Sequence, residues 1–97
     1  MSASISNAAN IDETWTFLGQ INYSSTTVNL PSEWDELLIL YTSSGRIAQM
    51  FNFYKELMAK FTEVFGAAGS GSGRCIIGST NISYSGASGL EVYVYYR

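Results

Sequence analysis

The hydrophobic pattern of this 97-residue chain is organised around one uninterrupted apolar run, Leu-Leu-Ile-Leu-Tyr at residues 37–41. A strand with one face in water alternates apolar and polar residues, so an unbroken run predicts a strand covered on both faces. Five residues is the length of a strand rather than of a helix that spans a core. We predict a central strand here, with other elements packed over it. Leu38→Asp is expected to unfold the domain because it buries an unpaired charge.

Two shorter alternating segments precede this run. The first places Trp15 and Phe17 on one face and is expected to end at Gly19. The second covers residues 26–30 and is ended by Pro31, because proline cannot donate a hydrogen bond to a β-ladder. Both segments predict short strands.

The segments that follow the central run predict further strands. Residues 46–53 come after a Ser-Ser-Gly turn and are interpreted as the hairpin partner of the central strand, with three apolar residues on one face: Ile47, Phe51 and Phe53. Residues 74–79 and 81–84 are strand-like as well. The last segment alternates strictly, with Leu90, Val92, Val94 and Tyr96 on one face and Glu91, Tyr93, Tyr95 and Arg97 on the other.

The stretch between these strands is ambiguous. Its apolar residues recur at helical spacing, at Tyr54, Leu57, Met58, Phe61 and Phe65. A short helix near residues 54–60 is therefore one interpretation, and a chain that crosses the core before a strand at 61–65 is the other. Residues 66–73, which alternate glycine with alanine and serine, are interpreted as a mobile loop.

Seven or eight short strands with frequent turns predict an all-β fold, an antiparallel β-sandwich of jelly-roll-like type. Residues 1–10 are small and polar and predict a flexible lead-in or linker, and residues 11–97 predict a single domain. The composition agrees, since aromatic residues make up 14% of the chain and charged residues only 13%.

Charge and the lengths of the apolar runs argue against nucleic acid and membrane as partners. The net charge is −3 and the five cations are scattered, whereas nucleic-acid binding requires concentrated Lys and Arg. No apolar run is long enough to span a bilayer, so membrane insertion is not expected. The first residues lack the regions of a signal peptide, which predicts a protein made in the cytoplasm without one.

Catalytic chemistry is not expected either. The chain has no histidine, the commonest general base. Its acidic cluster, Glu33, Asp35 and Glu36, is interpreted as solvated residues after a proline rather than as a glycosidase pair or a calcium site. The single cysteine, Cys75, is expected to be a buried small hydrophobe. No catalytic residue, cofactor or metal ligand is therefore assigned, and the chain is interpreted as non-enzymatic.

Aromatic residues are the candidate contact residues. Trp34 lies in a turn that looks exposed, and Tyr93 and Tyr95 lie on the more polar face of the last strand. Such rings offer flat contact area to sugars or proteins. The candidate set is Trp34, Tyr84, Tyr93 and Tyr95. The alternative is that these rings are covered by the other sheet or by another subunit.

Three landmarks occur in a fixed order along the chain. They are Trp15-Thr16-Phe17-Leu18-Gly19, then Leu30-Pro31-Ser32-Glu33-Trp34-Asp35-Glu36-Leu37-Leu38-Ile39, then Val92-Tyr93-Val94-Tyr95-Tyr96-Arg97. This order resembles the small C-terminal β-domains of bacteriophage and prophage tail, baseplate or minor structural proteins. The resemblance extends from about residue 14 to residue 97.

The resemblance implies a jelly-roll-like sandwich in a virion, located in the tail or baseplate and used for assembly or host-surface attachment. It implies a homo-oligomer, with a trimer favoured, in contact with other virion proteins and a bacterial surface glycan. It brings no catalytic residues. The alternative function is a carbohydrate-binding module of a secreted bacterial protein.

Overall fold

The computed structural model describes residues 14–97, so the predicted lead-in at 1–10 lies outside the described residues. The described residues form eight strands: β1 (Thr16–Asn22), β2 (Thr27–Asn29), β3 (Glu36–Ser43), β4 (Arg46–Tyr54), β5 (Glu63–Ala68), β6 (Gly71–Ile77), β7 (Asn81–Gly86) and β8 (Glu91–Tyr96). One 3₁₀ helix, Lys55–Ala59, lies between β4 and β5. The predicted all-β sandwich is confirmed.

The strands form two antiparallel four-stranded sheets. Sheet A has the order β1-β8-β3-β4, and sheet B has the order β2-β7-β6-β5. The first strand pairs with the last and the second with the seventh, which is the outer nesting of a jelly roll, but the nesting stops there because β3 pairs with β4 and β5 with β6. The chain also forms a β3–β4 hairpin and a β5-β6-β7 meander.

The predicted central strand is confirmed as β3, which lies between β8 and β4. Its inner side chains are in the core that fills the space between the sheets: Leu37, Ile39 and Tyr41. Its outer side chains Leu38 and Leu40 are buried too, but no second layer of the described chain covers them. The cover comes from the flanking strands of sheet A, since Leu40 pairs with Met50 on β4 and with Tyr93 on β8.

Two β-bulges in sheet A correct the sequence-based assignment of faces. β1 does not end at Gly19, because a shift in register between Phe17 and Gly19 lets the strand continue to Asn22. A second shift leaves Ala48 without a partner in β4. Ile47 therefore lies on the outer face of sheet A, opposite the side of Phe53. The prediction of one shared face for residues 47, 51 and 53 was wrong for Ile47.

The ambiguous stretch contains parts of both interpretations. The short helix near 54–60 exists as the 3₁₀ helix, and the strand that follows begins at Glu63. No residue of this helix is buried, although Met58 packs against the core. The helical spacing of apolar residues therefore does not mark a core-facing helix.

The predicted mobile loop at 66–73 was wrong. These residues form the end of β5, a tight turn at Gly69 and the start of β6. Gly66 and Gly73 are register partners and both are buried. A Cβ at Gly66 would lie 2.5 Å from the ring of Tyr41, and one at Gly73 would lie 2.5 Å from the hydroxyl of Tyr84. Glycine is needed here because two tyrosine rings occupy the space of its missing side chains.

Candidate assembly interface on sheet A

Seven side chains on the outer side of sheet A form a continuous nonpolar surface, which we call the apolar face. Register and ring contacts place them together: Phe17, Leu38, Leu40, Ile47, Met50, Tyr93 and Tyr95. All four strands of the sheet contribute to it. Alternation along each strand puts these residues outside and the core residues inside.

The rings of Phe17, Tyr93 and Tyr95 form an aromatic cluster across β1 and β8. The ring centroids of Phe17 and Tyr95 are 5.2 Å apart in an edge-to-face arrangement, and those of Phe17 and Tyr93 are 6.4 Å apart. The cluster borders a shallow depression of about 260 Å³ that is lined by Leu40, Ile47 and both tyrosines. Phe17, Ile47 and Met50 are each more than half exposed to solvent. Large apolar patches of this kind mark interaction sites.

The outer face of sheet B has a different character. Apart from half-buried Ile76, an apolar exception, alternation there directs mostly small or polar side chains outward: Ser72, Arg74, Ser83, Ser85 and Ala67. Phe65 is its one strongly exposed aromatic residue in the described chain, and it lies next to an Arg74–Glu63 ion pair. The two outer surfaces are therefore unequal, and the surface suited to a protein contact is that of sheet A.

An ion-pair network forms one border of the apolar face. Glu36 is buried and accepts hydrogen bonds from Arg97 Nε (3.0 Å) and Asn52 Nδ2 (2.8 Å). The Arg97 guanidinium also lies 4.1 Å from the ring centroid of Trp15, within cation–π distance. The interpretation of Glu36 as a solvated residue was therefore wrong. Its carboxylate links β3, β4 and the last residue of the chain.

Removing the guanidinium from this network is expected to destabilise the fold. Arg97→Ala leaves the Glu36 carboxylate buried with Asn52 as its one remaining side-chain partner. The expected loss in the free energy of unfolding is about 1–3 kcal/mol, measured by urea denaturation.

Arg74→Ala is the matched control for Arg97→Ala. It breaks the Arg74–Glu63 pair, in which both side chains are about half exposed. Exposed pairs contribute about 0–1 kcal/mol. Equal losses for the two variants would show that burial of Glu36 does not strengthen the Arg97 contact.

The structure separates the four candidate contact residues. Tyr93 and Tyr95 lie together on the apolar face. Tyr84 is buried over Gly73 and donates a hydrogen bond to the carbonyl of Ala87, so it contacts the core rather than a partner. Trp34 is only 6% exposed, and the prediction that it lies exposed in a turn was wrong.

Trp34 does border a groove at one end of the sandwich. The groove has a volume of about 580 Å³, and nonpolar residues share its lining with hydroxyl groups: Leu30, Pro31, Met58, Ser32, Ser79 and Thr80. The Lys55 ammonium lies over the Trp34 ring, 5.3 Å from its centroid. The flat face of the ring is thus already occupied by a side chain of the same protein.

Five members of the apolar face were not recognised in the sequence: Phe17, Leu38, Leu40, Ile47 and Met50. Trp15 and Phe17 share a face, as their alternation predicts, but only the pairing of Phe17 with Tyr95 shows that this face is the outer one. Leu38 and Leu40 join the face because β3 pairs with β8, which alternation within a single strand does not show. The bulge at Ala48 leaves no sequence signal for Ile47.

The buried ionisable groups are poor candidates for chemistry. Burial raises the pKa of the Cys75 thiol to about 11, so this buried cysteine stays protonated near neutral pH. Burial also raises the pKa of Tyr41, whose hydroxyl donates a hydrogen bond to the carbonyl of Val64 across the two sheets. In the described part of the chain no three residues among His, Cys, Asp and Glu are grouped to hold a metal ion.

Comparisons with known proteins identify no relative of this chain. No protein-family model, curated protein or solved structure matches the chain significantly. Within residues 14–97, no helix has the length and apolar character needed to cross a membrane.

Proposed function

We propose that this domain is a non-enzymatic structural module of a bacteriophage or prophage virion. It serves in the tail or baseplate, and copies of the chain associate through the apolar face. The observation that carries the proposal is the inequality of the two outer surfaces: sheet A has a continuous apolar and aromatic face, whereas sheet B has mostly small or polar side chains around Phe65 and Ile76. The order of landmarks along the sequence supplies the virion context, and with it the expectation of a homotrimer.

The energetic case rests on side chains that remain in water when the chain is alone. Phe17, Ile47 and Met50 are 53%, 57% and 55% exposed. Covering apolar surface is worth about 25 cal/mol per Å². Tyr93 and Tyr95 add rings with few rotatable bonds, which lose little entropy on contact. The Glu36–Arg97 pair and Glu91 form a polar border, the usual layout of an interface.

A charge in the centre of the apolar face is expected to dissociate the oligomer. Tyr93 pairs with Leu40 in register, so Tyr93→Glu places a carboxylate against that side chain. The mass from light scattering is expected to fall, while the far-UV circular dichroism stays that of the folded domain. Ser85→Glu, on the outer face of sheet B, is the control and is expected to leave the mass unchanged.

Two outcomes would contradict the proposal. One is a wild-type protein that is monomeric at every concentration, and the other is a Tyr93→Glu variant with the wild-type mass. Binding of bacterial surface glycans by a monomer would instead favour the carbohydrate-binding alternative, for which the Trp34 groove is the available site. The virion context has its own test, since tail and baseplate genes are expected beside the coding sequence.

A further inference from the structure

The free edge of β4 is unusual among the four sheet edges of the described chain. β1 is interrupted by a bulge, and β2 has only three residues. β5 starts with Glu63, and the main-chain N–H of Ala67 is bound by the side chain of Gln49. After its own bulge at Ala48, β4 runs on to Tyr54 without a charge or a proline. Long, uncharged edges invite pairing with another strand.

Hydrogen bonds in sheet A determine which main-chain groups of β4 are free. Glu36 and Arg97 exchange both main-chain hydrogen bonds, each 3.0 Å long, so even-numbered residues of β3 direct their main-chain groups to β8. Odd-numbered residues of β3 therefore bond to β4, where their partners are also odd-numbered. The N–H and C=O groups of Met50 and Asn52 and the N–H of Tyr54 therefore point to the free edge, whereas the C=O of Tyr54 caps the 3₁₀ helix that follows.

The side chains of the same three residues lie on the outer face of sheet A. Met50 is 55% exposed and Tyr54 is 51% exposed. An antiparallel copy of β4, related by a two-fold axis at Asn52, would place Met50 of one copy opposite Tyr54 of the other. Three residue pairs would then form, with about four main-chain hydrogen bonds between the copies, because the C=O of each Tyr54 is bound in its own 3₁₀ helix. Each methionine sulfur would contact a tyrosine ring.

We propose that two copies of the chain associate by antiparallel pairing of β4 about this axis, which extends sheet A across both copies. A second copy fits this edge because the edge is self-complementary: the same residues supply donors, acceptors, thioether and ring on each side. The pairing also joins the two apolar faces into one surface, since Met50 belongs to both the edge and the face.

This inference rests on the proposed assembly function and specifies one of its contacts. The contact is two-fold, so it produces an even number of copies. Alone it gives a dimer, and together with a three-fold contact at the apolar face it gives a hexamer.

Met50→Pro tests the pairing. Proline replaces an N–H that points to the free edge with a ring that blocks the approach of a second strand, and it leaves the ladder between β3 and β4 intact. The mass from light scattering is expected to be half that of the wild type, with unchanged circular dichroism. Phe65→Pro is the matched control. The main-chain carbonyl of Thr62 accepts a hydrogen bond from the N–H of Ile77, so even-numbered residues of this segment bond to β6. The odd-numbered residues of β5 therefore direct their N–H to the free edge of sheet B. The mass of the Phe65→Pro variant is expected to equal that of the wild type.

Cross-linking tests the register and covers the case in which Met50→Pro fails to fold. Oxidation of Met50→Cys/Tyr54→Cys is expected to give a covalent dimer, because paired residues in an antiparallel ladder lie about 5.5 Å apart. Met50→Cys alone is expected not to cross-link, and Cys75 is buried and does not compete. A covalent dimer from the single variant would overturn the axis at Asn52.

An odd number of copies in the wild type, or a Met50→Pro mass equal to that of the wild type, would overturn the edge pairing. The Tyr93→Glu variant distinguishes the two proposals. If Met50→Pro halves the mass and Tyr93→Glu leaves it unchanged, the edge contact stands and the apolar face fails as an interface. The reverse pattern supports the apolar face and overturns the edge contact.

Discussion

Gly66→Leu is expected to unfold the domain at room temperature, or to lower its free energy of unfolding by about 4 kcal/mol or more. The position is buried, and a Cβ there would already lie 2.5 Å from the Tyr41 ring. The ring has no room to move, because it is buried in the core and its hydroxyl is bound to the carbonyl of Val64. Thermal and urea denaturation followed by circular dichroism measure the loss.

Ala67→Leu is the control on the next residue of the same strand. Its side chain is exposed on the outer face of sheet B, so the expected change is within about 0.5 kcal/mol. Similar transitions for Gly66→Leu and the wild type would mean that residues 66–73 do not pack against Tyr41. The glycine-rich segment would then be the mobile loop that its composition predicts.

The contrast at Gly66 shows why composition misled in this segment. Glycine occurs in flexible connectors, but it also occurs where another group approaches the backbone. The difference lies in two tyrosines that are distant in sequence: packing of the two sheets places Tyr41 over Gly66, and pairing of β6 with β7 places Tyr84 over Gly73. A single sequence does not show which tyrosine meets which glycine. By contrast, the unbroken run at 37–41 and the alternation at 90–97 are local, and both strands were found where the pattern predicts them.

Only the part of the candidate interface that depends on local alternation was predictable from the sequence. Alternation alone places Tyr93 and Tyr95 on the side opposite Val92 and Val94, and the structure agrees. It does not show that Leu38 and Leu40 lie beside them and make that side nonpolar, because this depends on β3 being the neighbour of β8. The two bulges are equally hidden, since one extra residue in a strand reverses every face that follows it.

Ile39→Asp is expected to abolish folding, a loss greater than the roughly 5–15 kcal/mol that stabilises a domain of this size. Ile39 is fully buried between the sheets, and its register partners are Phe51 and Val94. The core around it contains no cation that could pair with a carboxylate in the described part of the chain. An unpaired buried charge at this position therefore has no compensation. No cooperative transition is expected in urea, whereas Ile39→Val should lose only about 0.5–1.5 kcal/mol.

Leu38→Asp provides the comparison, and the structure lowers the effect expected from sequence alone. Leu38 is buried by Asn52 and Tyr95 on the outer face rather than by the other sheet. In an isolated copy an aspartate there can reach water past these side chains, so we expect a loss of about 2–4 kcal/mol and a protein that still folds. If Leu38→Asp is as damaging as Ile39→Asp, the outer face must be covered by another copy. The wild-type unfolding midpoint would then rise with protein concentration, because association stabilises the folded state by mass action.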